Sequence, residues 1–135
     1  FDETATTGSF GLFDNGSGQF YIYNLAQFKD SSFTPASTFK IFNTLMFLEY
    51  GIVEDTSHVE KWNGKEYKHK GKKVPAWYQD TNLAQAFRNS TVWYYKTLSH
   101  SIPFSLYKKI MKENNYGKIY GRDKDGDGGW KKNAK

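Results

Sequence analysis

The chain has 135 residues, no cysteine, 19% aromatic residues and a formal net charge of +5. That length suits one domain with a real core, and the aromatic share predicts ring-on-ring packing inside it. The lack of cysteine excludes disulfides, a thiolate nucleophile and a cysteine-based zinc site, while leaving the compartment open; no run of about eighteen apolar residues offers a membrane span.

At its start the sequence has neither Met, a basic stretch nor an apolar stretch, so a mature product is expected, with any signal peptide removed. Gly8–Asp14 (GSFGLFD) and Gln19–Asn24 (QFYIYN) are aromatic-rich runs joined by Asn15-Gly16-Ser17-Gly18, which predicts a β-hairpin. Ala26–Thr34 reads as polar and irregular. Pro35-Ala36-Ser37 then opens a segment in which Phe39, Phe42, Leu45, Met46 and Glu49 recur at helical spacing, with Gly51 as a stop. Ile41, Phe42, Leu45, Met46 and Phe47 nearly encircle it, so this helix is expected to be largely buried.

Glu60–Tyr78 carries Asn63-Gly64, Lys70-Gly71 and Pro75 and reads as loop with room for a small hairpin. Its basic run Lys65–Lys73 (KEYKHKGKK), like Lys131–Lys135, reads as solvated surface. No nucleic-acid motif accompanies the charge, so no nucleic-acid partner is expected; a cationic surface would also steer anionic substrates or an anionic envelope. Thr81–Asn89 predicts a helix with Asp80 or Thr81 as N-cap and Leu83, Ala86 and Phe87 facing inward. Ser90 interrupts it or starts the next one, Val92–Ser99. Pro103–Asn114 has Pro at its start and Leu106, Tyr107, Ile110 and Met111 at helical spacing. Gly121–Gly129 is rich in Gly and Asp and reads as loop. A hairpin followed mostly by helices is an α+β pattern, read here as one partial domain over 1–135, with the hairpin in 1–24, a helical region in 35–115 and a loop and tail in 116–135.

Ser37-Thr38-Phe39-Lys40 carries the chemistry. A serine hydroxyl needs an adjacent base to act as a nucleophile, and residues three apart on a helix share a face, so Lys40 can reach the Ser37 oxygen. The first helical turn adds free N–H groups and a positive dipole end. A lysine serves as base only when neutral, and burial among Phe39, Phe42 and other rings would favour that form. Taken alone, Ser-x-x-Lys is common, and a serine at a helix start is usually a cap.

Three further features change the weight of that motif. Ser90-Thr91-Val92 stands at a helix junction, Tyr116-Gly117 follows, and then a Gly-rich loop ending at Trp130. Ser-x-x-Lys with a second serine motif is the pattern of serine β-lactamases and penicillin-binding proteins. The string Pro35-Ala36-Ser37-Thr38-Phe39-Lys40-Ile41, with Asn43 after it, closely resembles the active-site helix of class D β-lactamases. Tyr21-Ile22-Tyr23-Asn24, Lys61–Lys65, Pro75-Ala76-Trp77, Leu83–Phe87 and Ser90–Tyr95 resemble successive segments of that family in order, so the likeness covers most of Gly8–Gly117.

The resemblance implies the serine β-lactamase fold, a periplasmic or secreted location, a small-molecule β-lactam as substrate and no cofactor beyond carbon dioxide. It implies Ser37 as nucleophile, Lys40 as a base carrying a carbon dioxide-derived carbamate, and Ser90 as the group that returns a proton to the departing nitrogen. Val92, where penicillin-binding proteins and penicillin sensors usually have Asn, would belong to a dry pocket around Lys40. Trp130 lies near a family tryptophan that bonds the carbamate, and Tyr116 opens a Tyr-Gly-Asn signature. The Ser37 N–H would be half of an oxyanion hole; the other half comes from a late strand of the family.

The sequence also departs from the family. Lys118 replaces the Asn of Tyr-Gly-Asn, and no Lys-Thr-Gly or Lys-Ser-Gly triplet occurs. The C-terminal sheet strands are therefore expected to be missing, with a second chain or a further half needed to complete the site. Asp123, Asp125 and Asp127 with Gly128 resemble the opening of a calcium loop, but Ala134 stands where a bidentate Glu is needed, so a solvated turn is preferred. His58, His69 and His100 show no catalytic pattern and read as surface residues. Two other readings stay open: a penicillin sensor or transpeptidase-like domain that acylates without turnover, and an inactive relative that binds an envelope polymer or calcium.

Overall fold

The computed structural model describes residues 6–31 and 33–116 of the chain. They fall into two units, Phe1–Phe33 and Thr34–Lys135.

In the first unit, β1 (Phe10–Asp14) and β2 (Gln19–Tyr23) form the expected antiparallel hairpin, with Phe10 opposite Tyr23, Leu12 opposite Tyr21 and Phe13 opposite Phe20. Its turn is built by Asp14. One carboxylate oxygen accepts the Gly16 N–H at 2.8 Å and the other accepts the Ser17 hydroxyl at 2.6 Å, and these bonds hold the Asp14 carboxyl below the usual carboxylate range. Gly18 takes φ 68, and its N–H returns to the Asp14 carbonyl. Phe28 crosses Gly11 so closely that a Cβ there would sit 2.8 Å from the ring.

That phenylalanine belongs to α1 (Leu25–Asp30), in a stretch expected to be irregular. The helix forms because Asn24 caps it: its side chain accepts the Gln27 N–H and donates to the Gln27 side chain. The same tetrapeptide, Asn-Leu-Ala-Gln, recurs as Asn82–Gln85 and opens α3 (Leu83–Arg88) with a complete capping box. The cap of α3 is thus Asn82 rather than Asp80 or Thr81. The Asp80 carboxylate is taken by Lys61 and by the Trp62 N–H, and the Thr81 hydroxyl donates to the Gln79 carbonyl.

The second unit is built on α2 (Phe39–Glu49), α3, α4 (Val92–His100) and α5 (Phe104–Glu113). Two short antiparallel pairs accompany them: β3 (Val59–Glu60) with β6 (Thr81–Asn82), and the hairpin β4 (Lys68–His69) with β5 (Lys72–Lys73). Lysines 65, 68, 70, 72 and 73 are all exposed, in keeping with a solvated run. The core joins Phe42, Met46 and Phe47 of α2 to Trp93, Tyr94, Tyr95 and Leu98 of α4 and to Tyr107, Ile110 and Met111 of α5. Stacked or edge-on rings recur through it, among them Phe47 with Tyr95 and Trp93 with Tyr94.

Two burial expectations are corrected. Ile41 and Leu45 are 53% and 61% exposed, because α2 buries a single stripe, Phe42, Asn43, Met46 and Phe47, and Ile41, Leu45 and Leu48 line the opposite side. Phe87 is also exposed; Leu83 and Ala86 already fill the inward side of the short α3, and the next position turns about 100° away from it.

Candidate active site

The sequence-predicted trio Ser37, Lys40 and Ser90 comes together. Pro35 starts the turn, and its carbonyl accepts both the N–H and the hydroxyl of Thr38. A short 3-10 turn over Ala36–Thr38 then runs directly into α2. Ser37 therefore sits just ahead of the α-helix, and Lys40 lies one turn further on. The Lys40 ammonium donates to Ser37 Oγ at 3.1 Å. Ala36, immediately before Ser37, has φ 48, a left-handed conformation that costs a non-glycine residue roughly 1–2 kcal/mol.

Ser90 arrives from the far side. Its hydroxyl donates to Ser37 Oγ at 3.0 Å. The local fold that aims it is a helix stop: the Ser90 N–H bonds the Phe87 carbonyl, the Thr91 N–H bonds the Ala86 carbonyl, and Ser90 itself takes φ 52. These are the bonds of a Schellman motif, with serine in the left-handed position usually given to glycine. Thr91 is fully buried, and among the described residues its hydroxyl oxygen has no hydrogen-bond partner.

Ser37 is exposed, whereas Lys40 and Ser90 are half-buried. Burial pushes the Lys40 amine below the ordinary lysine range, because the charged form loses solvation. The amine also lies 5.8 Å from the centre of the Tyr95 ring, and the Tyr95 hydroxyl bonds Thr44 at 2.8 Å. Sequence reasoning missed Tyr95 and Thr44. The signal was available: Thr44 lies one turn after Lys40, and Tyr95 lies three positions after Val92 on a helix.

Val92 is half-buried and packs on the core. Tyr116 stacks on Phe42 with ring centres 4.5 Å apart and leans on Phe39, so it buttresses the helix that carries Lys40. Deeper, the Tyr107 hydroxyl donates to the buried Asn43 side chain at 2.9 Å. His58 pairs with Glu60, and His100 bonds the Lys96 carbonyl. Trp130, Lys118 and the acidic trio Asp123, Asp125 and Asp127 lie outside the described residues. Among the described residues no group of acidic or histidine side chains could hold a metal ion, and no helix is long and apolar enough to cross a membrane.

A hydroxyl oxygen between an amine with weakened proton affinity and a second hydroxyl can be deprotonated from one side and can pass a proton on the other. A family model described as the penicillin binding protein transpeptidase domain matches residues 8–135. The regulatory protein BlaR1 of Bacillus licheniformis is 34% identical over 117 residues, which is 87% of this chain and 18% of that protein. The β-lactamase OXA-20 of Pseudomonas aeruginosa is 37% identical over 106 residues, 78% of this chain and 38% of the enzyme. A solved class D β-lactamase, YbXI from Nostoc, superposes with a TM-score of 0.79 at 39% identity, covering 94% of this chain and 51% of its own. The chain thus spans less than half the length of these curated relatives and about half of that solved structure.

Proposed function

Since the chain belongs to the penicillin-binding protein transpeptidase domain family and has the α+β fold of part of a class D β-lactamase, we propose that it opens β-lactam rings by acylation of Ser37. The observation that carries this reading is the trio itself, with Lys40 Nζ at 3.1 Å and Ser90 Oγ at 3.0 Å from the Ser37 oxygen.

In this reading Lys40 in its neutral form takes the Ser37 proton as the oxygen attacks the β-lactam carbonyl carbon. A C–O bond forms, the ring C–N bond breaks, and Ser90 hands its proton to the departing nitrogen and takes one back from Lys40. Water then cleaves the ester and frees Ser37. The Ser37 N–H would steady the developing oxyanion as one of two donors.

Lys40 fits the carbamate that the class D resemblance implies: it is half-buried and its burial favours the neutral amine, the form that reacts with carbon dioxide. Bound there, the carbamate would supply a carboxylate-like base. Val92 and Tyr95 would keep the surroundings of the amine apolar. The same reading puts the protein in the periplasm or outside the cell, where β-lactams act.

Turnover of a chromogenic cephalosporin by the natural gene product that carries this chain, with and without bicarbonate, tests the proposal. Ser37→Ala and Lys40→Ala should each abolish turnover, and bicarbonate should raise it in the unaltered protein. Full activity in Lys40→Ala would overturn the base assignment.

The likeness to a regulatory protein favours a second reading, in which Ser37 is acylated and stays so. Mass spectrometry after penicillin treatment separates the two. A lasting adduct on Ser37 supports the sensor, and rapid return of the free mass supports the hydrolase.

A further inference from the structure

The left-handed turn that aims Ser90 is held from behind. Trp77 is buried, and its indole N–H donates to the carbonyl of Asn89 at 3.0 Å. Asn89 ends α3, and the last carbonyls of a helix have no partner within it. It also directly precedes Ser90, and the peptide joining the two is a rigid plane. Fixing that carbonyl fixes the plane about which Ser90 turns, and with φ held at 52 it sets the direction of the Ser90 side chain.

Trp77 is itself held in place. Its carbonyl accepts the indole N–H of Trp93 at 2.8 Å, and its backbone N–H bonds the Val74 carbonyl at 2.9 Å, in a 3-10 turn opened by Pro75. The two indoles thus form a relay from the interior of α4 to the peptide behind Ser90.

We propose that Trp77 is a positioning residue for the Ser37–Ser90 contact: its indole N–H holds the Asn89–Ser90 peptide so that the Ser90 hydroxyl meets the Ser37 oxygen. The inference rests on the reading of Ser37 and Ser90 given above. The indole N–H of Trp77 bonds the Asn89 carbonyl and not Ser37, Lys40 or the Ser90 hydroxyl. It acts through the direction of one hydroxyl, so its loss should slow proton delivery and leave β-lactam binding alone.

The test is the rate of Ser37 acylation by a fluorescent penicillin, measured on the natural gene product with Trp77→Phe, Ser90→Ala and both together. Trp77→Phe keeps a ring and removes the N–H. It should slow acylation about tenfold, the scale of one lost hydrogen bond, with the Kd for penicillin unchanged. On the Ser90→Ala background the same change should cost no more than about twofold, because the residue it acts through is gone. Equal losses on both backgrounds would mean a general packing role and overturn the inference. So would an unchanged rate in Trp77→Phe beside a slowed Ser90→Ala, which would leave the Ser90 assignment standing. An unchanged rate in Ser90→Ala would overturn that assignment and the inference with it. Should Trp77→Phe fail to fold, benzothienylalanine at position 77 keeps the bicyclic ring, lacks only the N–H and gives the same comparison.

Discussion

The Ser90 hydroxyl donates to the Ser37 oxygen at 3.0 Å across 53 positions of sequence, and it does so from a backbone conformation that serine rarely takes, φ 52. Geometry and strain can be separated there. Ser90→Ala and Ser90→Gly both remove the hydroxyl and should slow Ser37 acylation equally. Only glycine relieves the left-handed turn, so the glycine variant should be the more stable of the two by about 1 kcal/mol. Urea unfolding of both variants, with acylation rates beside it, checks the pair. An alanine variant as stable as the glycine one would remove the strain argument.

Lys40 supplies a pH dependence. Burial lowers its pKa, so its neutral form persists to lower pH than an ordinary lysine allows. Acylation should therefore rise with pH through the Lys40 pKa and fall on the acid side, where the amine takes up its proton. The rise should lie below the usual lysine range, and Lys40→Ala should lose it. A pH profile of acylation in buffer freed of carbon dioxide, where Lys40 stays a free amine, measures this directly.

Thr91 is a site where stability can be gained. Its side chain is fully buried, with a hydroxyl oxygen that has no partner among the described residues, and burying such a group without a hydrogen bond costs about 1–3 kcal/mol. Thr91→Val keeps the shape and removes the oxygen. It should raise the urea midpoint, by about 1 kcal/mol of stability, with the slope unchanged. A lower midpoint would show that the hydroxyl has a partner in solution.

Tyr107→Phe should do the reverse. It removes the donor to the buried Asn43 side chain and leaves that oxygen in the core, at a cost of about 1–3 kcal/mol. Because Asn43 lies three positions after Lys40 on α2, acylation measured beside unfolding would show whether the helix shifts as well as weakens.

The legible part of the site was the local part. Ser37 and Lys40 are three residues apart, and helical spacing alone brings them together. Ser90 was assigned by resemblance, since nothing in Ser-Thr-Val announces a helix stop with serine in the glycine position. Trp77 stands out in the sequence by resemblance alone; its bond to Asn89 depends on how a loop folds over a helix end. The hairpin and the helical region were readable from spacing and turn residues. The helix at Leu25–Asp30 was missed although its Asn24…Gln27 cap was in plain view, because a polar stretch was read by composition. The exposure of Ile41 and Leu45 was missed because an apolar residue on a helix shows no preference for one side until its neighbours are known.

The hairpin has one consequence for how it pairs. Phe10, Leu12, Tyr21 and Tyr23 share one face, and Phe13, Phe20 and Ile22 share the other. In most strands a slip by one residue is punished because it swaps apolar for polar side chains. Here such a slip would exchange one set of rings for another, so the strands themselves barely discriminate between alignments. The discrimination falls to Asp14, whose carboxylate fastens both Gly16 and Ser17. One acidic side chain at the end of a strand thus acts as the index mark by which ten strand residues find their partners.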